Sequence, residues 1–231
     1  MLDALITDFD GVVVDSEPMH FRGFAEVLAS EGIALTWDTY ASTYMALDDR
    51  DCFRAVAADH GVTLSEERLA AMIDAKSVLV QELMTRDIRA YPGVVDLLAA
   101  CAHMDIPLGI CTGCLRAEVE LCSRMIGIWD HVQVTVAAQD VTRGKPDPEG
   151  YTQAMKRLRD ITGRDLQAGR CIVMEDSPGG VAAAKDAGMK VLAITNSHPA
   201  HALTQADRVV DSLEGVTPEI LSNWFSGGGP R

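Results

Sequence analysis

Ala4-Leu5-Ile6-Thr7-Asp8-Phe9-Asp10-Gly11 is a short apolar run that stops at an acid and turns at a glycine. A run this brief, bounded by a turn signal, reads as a buried strand rather than a helix. Similar runs recur at 107–111, 131–136, 171–174, 190–194 and 208–210. Helical patterns separate most of them, at 94–104, 115–126, 149–159 and 180–187. Continuously apolar strands alternating with helices predict an α/β fold with a parallel sheet covered on both faces. The helix after Asp176 has the clearest boundaries: Ser177 as N-cap, Pro178 at the first helical position and Gly188 at the close.

The alternation breaks once. Between Val14 and Asp87 there is no good strand; the stretch reads as helices at 17–30, 37–46, 50–60 and 65–85. An all-helical unit over 16–87 is therefore expected as an insertion after the first strand, with residues 1–15 and 88–231 forming the sheet-bearing core. The junctions fall at Val14-Asp15-Ser16 and at Ile88-Arg89-Ala90-Tyr91-Pro92-Gly93. The tail, Ser226 to Arg231, is expected to fray.

Composition narrows the function classes. The chain has 231 residues, enough for a sizeable core without disulfides. Apolar residues make up 48% and charged residues 23%, which excludes disordered and collagen-like classes. Nothing in the sequence is apolar for long enough to span a membrane. The opening Met1-Leu2-Asp3 lacks the basic start of a secretory leader, so a cytoplasmic protein is expected. Twenty basic residues against 34 acids give a net charge of −14, which argues against nucleic acid or anionic lipid as partners. An anionic ligand must then be held by a few specific donors or a metal. The six cysteines read as buried and reduced; Cys111-Thr112-Gly113-Cys114 has redox or zinc spacing, but no second pair completes a tetrahedral site.

Ligands of an open parallel sheet bind beyond the carboxyl ends of its strands. Four groups stand there: Asp8 and Asp10 with Gly11; Thr112 and Gly113; Gly144-Lys145-Pro146-Asp147; and Glu175-Asp176. Their chemistry is mutually consistent. Clustered carboxylates need a hard cation, and oxygen ligands of this kind suit Mg²⁺. A lysine, a hydroxyl and a glycine amide suit phosphate oxygens. With that charge neutralised, a carboxylate can attack phosphorus to give an aspartyl-phosphate. A second acid can then protonate the leaving oxygen and activate water.

These segments, in full Asp8-Phe9-Asp10-Gly11-Val12-Val13-Val14-Asp15-Ser16-Glu17, Thr112-Gly113, Gly144-Lys145-Pro146-Asp147-Pro148 and Glu175-Asp176-Ser177-Pro178-Gly179-Gly180, resemble the four motifs of the haloacid dehalogenase-like superfamily. The resemblance spans essentially the whole chain and is strongest to the branch of β-phosphoglucomutase, phosphoglycolate phosphatase and small sugar-phosphate phosphatases. It implies a Rossmann-like core in which 16–87 is a helical cap. It also implies roles: Asp8 as nucleophile and Mg²⁺ ligand, and Asp10 as general acid/base with its backbone carbonyl on the metal. Thr112, the Gly113 amide and Lys145 would hold the phosphoryl group, Asp176 would ligate the metal, and Glu175 would either ligate it or stand behind its ligands.

Within the branch, the resemblance implies a Mg²⁺-dependent phosphatase acting on a small phosphorylated metabolite, a sugar phosphate or phosphoglycolate-like acid, as a monomer or weak dimer. Three candidate substrate contacts fall in the cap: His20, Arg50 and Lys76. Each has a plainer reading: packing or surface for His20, a surface charge at a helix start for Arg50, and a solvated face for Lys76. His20 and Lys76 stand where the mutase branch has a histidine and a lysine. Against the mutase stand Leu115, in place of a lysine, and the loop Met45 to Asp51, where Arg50 is displaced by one position. A protein that kept the fold only to bind would show a damaged motif, and none is damaged.

Overall fold

The computed structural model describes residues 2–45, 47 and 49–225. It divides into two compact units, Met1–Asp15 with Ile88–Arg231 and Ser16–Asp87. The proposed fraying of the tail from Ser226, and Ala46 and Asp48 of the cap loop, lie outside the described residues.

The core unit carries a six-stranded sheet of β1 (Ala4–Thr7), β2 (Leu108–Cys111), β3 (Val134–Val136), β4 (Cys171–Glu175), β5 (Lys190–Ile194) and β6 (Arg208–Val210). All pairs are parallel, and the order is β3-β2-β1-β4-β5-β6. The chain thus steps outward from β1 to β3, then returns to the other side of β1 at β4. Such a reversal leaves a crevice at the strands' carboxyl ends. The register pairs Thr7 with both Ile110 and Met174, so Asp8, Thr112 and Glu175 all emerge near one level.

Every residue of β1, β2, β3 and β4 is buried, as continuous apolar strands require when helices cover both faces. In chain order the helices are α1 (Glu17–Ser30), α2 (Trp37–Thr39), α3 (Asp49–Asp59), α4 (Glu66–Asp87), α5 (Val94–His103), α6 (Arg116–Met125), α7 (Glu149–Thr162), α8 (Pro178–Asp186) and α9 (Pro218–Phe225). One side of the sheet packs Ile6, Val173 and Val191 with Tyr151, Leu158, Val181 and Ala184. Among the described residues no helix is long and apolar enough to cross a membrane.

The α/β reading holds, with local differences. Residues 131–133 do not belong to β3; Trp129–His131 form a 3-10 turn. The helix expected at 37–46 is only α2 followed by a π-helical turn, Tyr40–Tyr44, in which the Met45 amide donates to the Tyr40 carbonyl. Apolar spacing reports which side chains are buried, not which carbonyl an amide selects. The helix α9 carried too short an apolar pattern to be read.

The helical unit has its own core, in which Phe24, Leu28, Phe53, Leu69 and Met72 are buried together. The rings of Phe24 and Phe53 meet edge to face at 4.9 Å.

Ile6 is fully buried on the central strand. Ile6→Ala is expected to cost about 2–5 kcal/mol, measured as a lowered midpoint in urea unfolding at unchanged slope.

Candidate active site

The core brings its four motif groups together. The Lys145 Nζ lies 2.8 Å from Asp8 Oδ1 and 2.6 Å from Glu175 Oε1. One oxygen from each of Asp8, Glu175 and Asp176 lies within 4.8 Å of the others. The Cys114 thiol donates to Asp10 Oδ2, while the Cys114 amide donates to Thr112 Oγ1 at 3.1 Å. Because that Oγ1 accepts from the amide, the Thr112 hydroxyl proton remains available for another acceptor. A cavity of about 450 Å³ opens against Thr112, Gly113 and Lys145.

Local chemistry explains why each side chain stands where it does. The Asp8 amide donates to the Met174 carbonyl at 2.9 Å, continuing the β1–β4 ladder and fixing the side chain at the crevice. Gly11 turns the chain with φ +72°, and a Cβ there would overlap the Asp176 carboxylate. Glu175 ends β4 fully buried. Its Oε2 accepts from the Asp176 amide at 3.0 Å, the Ser177 amide at 3.2 Å and the Ser177 hydroxyl at 3.0 Å. Its Oε1 accepts from Lys145 and, at 2.6 Å, from the Tyr151 hydroxyl. Ser177 also caps α8, accepting from the Gly180 amide at 3.1 Å. A side chain at Gly180 would overlap Glu175.

Electrostatics follow from this crowding. Burial pushes the Asp8 carboxyl well above its ordinary range; Lys145 opposes the shift, while Glu175 and Asp176 add to it. Burial likewise raises Asp176 to about 7, against a hydrogen bond with Ser197. Burial alone would raise Glu175 and lower Lys145, but the ion pairs prevail: Lys145 lowers Glu175, and Asp8 and then Glu175 raise Lys145. Three carboxylates around one ammonium leave a formal charge of −2, which fits a divalent cation. Asp8 and Asp176 each offer a carboxylate oxygen to such a cation. Both Glu175 oxygens are occupied by donors, so its fit is that of a residue beside the ion.

The site also uses residues outside the four motifs. Asn196 Nδ2 donates to the Gly11 carbonyl at 2.7 Å, Ser197 bonds Asp176, and His198 Nδ1 lies 3.1 Å from the Asp176 carbonyl. These three follow β5, so the rule that ligands gather at strand ends points to them as well. Tyr151, within the 149–159 helical pattern, carries no such signal in the sequence.

The helical unit holds the remaining candidates. Lys76 is not solvated but 2% exposed; its Nζ pairs with Asp49, lies 3.1 Å from His20 Nδ1 and sits 4.2 Å from the centre of the Phe24 ring. Burying an ammonium requires such partners. Arg50 Nη1 pairs with Glu66 at 2.8 Å, and Arg54 pairs with the same carboxylate. His20 and Lys76 are thus brought together, and Arg50 is directed to a different acid.

Comparison with known proteins places this geometry. Residues 5–194 match the family model of the haloacid dehalogenase-like hydrolases, and the chain belongs to that family. It is 29% identical to validoxylamine A 7'-phosphate phosphatase of Streptomyces hygroscopicus over 94% of this chain and 96% of that one. It is 28% identical to a phosphorylated carbohydrates phosphatase of Thermotoga maritima, covering 95% and 100%. The crystal structure of CbbY from Rhodobacter sphaeroides in complex with phosphate superimposes with a TM-score of 0.81 at 25% identity, covering 96% of this chain and all of the other.

The thiols of this site are built to stay protonated. Burial and then the Asp10 carboxylate push Cys114 well above the ordinary thiol range, and burial holds Cys111 up at about 12. Since the thiolate is the reactive form, native protein at pH 8 is expected to leave both cysteines unmodified by iodoacetamide under conditions that alkylate them in urea. Peptide mapping by mass spectrometry checks this; rapid native labelling of Cys114 would contradict it.

Proposed function

We propose that this haloacid dehalogenase-like hydrolase is a Mg²⁺-dependent phosphatase that cleaves a small phosphorylated sugar or related metabolite through an aspartyl-phosphate on Asp8. The observation that carries this reading is the Lys145 ammonium held between Asp8 and Glu175, with Asp176 in the same cluster. A lone cation placed against an acid at a strand end can neutralise a phosphoryl oxygen as that acid approaches phosphorus.

Asp8 attacks phosphorus through a carboxylate oxygen as the bond to the ester oxygen breaks. Asp10, entering as the acid, gives its proton to that leaving oxygen. Thr112, through its free hydroxyl proton, the Gly113 amide and Lys145 hold the phosphoryl oxygens. Water then attacks phosphorus, Asp10 takes its proton, and the bond from phosphorus to Asp8 breaks to free phosphate, restoring Asp8 as the carboxylate and Asp10 as the acid. Asp8, Asp176 and the Asp10 backbone carbonyl would hold Mg²⁺, with Glu175 beside them; when bound, the ion neutralises phosphoryl charge and lets an anionic nucleophile approach. The buried, raised carboxyls of Asp8 and Asp176 support this assignment, since a cation relieves what burial costs them.

Residues of the helical unit are proposed to read the part of the substrate away from phosphorus. There Lys76 is neutralised by Asp49 and Arg50 by Glu66. Both pairs favour hydroxyl groups over a second phosphate and so a hydrolase of monophosphates over a mutase using a bisphosphate. The named relatives, phosphatases of a validoxylamine phosphate and of phosphorylated carbohydrates, support a polyhydroxylated substrate.

Asp8→Asn is expected to abolish phosphate release from a panel of sugar phosphates while leaving circular dichroism unchanged; retained turnover refutes Asp8 as nucleophile. Lys145→Ala should lower kcat by about 10²–10³. Excess EDTA should stop hydrolysis and added Mg²⁺ restore it, whereas hydrolysis that survives chelation refutes the metal requirement.

A further inference from the structure

Tyr151 is fully buried near the start of α7, with its hydroxyl 2.6 Å from Glu175 Oε1. That oxygen also accepts from Lys145 at 2.6 Å, and the Lys145 Nζ lies 5.2 Å from the centre of the Tyr151 ring. The other Glu175 oxygen is fixed by two amides and the Ser177 hydroxyl. The carboxylate therefore cannot turn, and the lone pairs of Oε1 are shared between one phenol and one ammonium.

Lys145 has three N–H donors. One goes to Glu175 and one to Asp8, at 2.6 and 2.8 Å. A third is left to point elsewhere. Without the phenol, Glu175 Oε1 would have a vacant lone pair in a buried place, and the nearest donor to fill it is the ammonium. Lys145 would be drawn toward Glu175 and away from Asp8.

We propose that Tyr151 is a positioning residue, whose hydroxyl occupies Glu175 Oε1 so that Lys145 stays against Asp8 with one N–H directed to the phosphoryl group. This rests on the reading of Lys145 as the phosphoryl-binding cation. The strongly raised tyrosine, caused by burial and then by Glu175, agrees with a phenol that remains a donor.

The test is a double-mutant cycle of Tyr151→Phe and Glu175→Gln on the full chain with Mg²⁺. Phenylalanine keeps the ring against Lys145 and removes only the hydroxyl. On the wild-type background Tyr151→Phe is expected to lower kcat about tenfold or more, with KM changed far less. On the Glu175→Gln background the same substitution should have little effect, because Tyr151 acts through that carboxylate. The cycle read as orthovanadate affinity, which needs no turnover, should be non-additive in the same way. Wild-type kcat in Tyr151→Phe, or an equal loss on both backgrounds, overturns the proposal. A wild-type protein that hydrolyses no phosphoester instead overturns the functional reading beneath it.

Discussion

Three carboxylates share the end of a parallel sheet with a single lysine, and the rest of the site is arranged around that imbalance. Like charges held this close in a buried place raise one another's pKa. Burial adds most to the rise of Asp8 and Asp176, and although Lys145 opposes both shifts, Asp8 stays well above its ordinary range and Asp176 stands at about 7. The cluster gathers because β1 and β4 are neighbours, although 163 or more residues separate them in the chain. Their shared register sets Asp8 beside Glu175 before any side chain chooses a rotamer.

Close approach then decides which residues can surround the acids. Gly11 and Gly180 each stand where a Cβ would collide with a carboxylate, Asp176 in one case and Glu175 in the other. The glycines therefore act as space for the acids as much as turn formers. Donors fill the remaining directions: Ser177 and two amides below Glu175, Tyr151 beside it, and Asn196 on the Gly11 carbonyl. Buried polar groups need such partners, and a partly satisfied cluster would be less stable than an apolar core.

Much of this was legible in the amino-acid sequence because local signals and global fold agree. The strands are short apolar runs, α8 has its serine cap and proline start, and the acids and lysine stand in motif order at strand ends. What escaped is what depends on distant contacts. Tyr151 gives no sign of its role until β4 places Glu175 against its hydroxyl. Lys76 reads as a solvated charge on α4 until α1 and α3 supply His20 and Asp49. The π-helical turn at Tyr40–Tyr44 escaped for a different reason, since side-chain periodicity does not distinguish hydrogen-bond offsets of four and five.

If Asp8 is the nucleophile, it carries the phosphoryl group during turnover. The most direct measurement is acid quenching of the enzyme within the first turnover of a phosphorylated sugar, followed by peptide mapping. A phosphoryl group on the peptide bearing Asp8, which disappears when the quench is delayed until substrate is exhausted, is the predicted result. Release of phosphate with no phosphorylated Asp8 at any quench time, together with phosphate transfer directly to water, would contradict it.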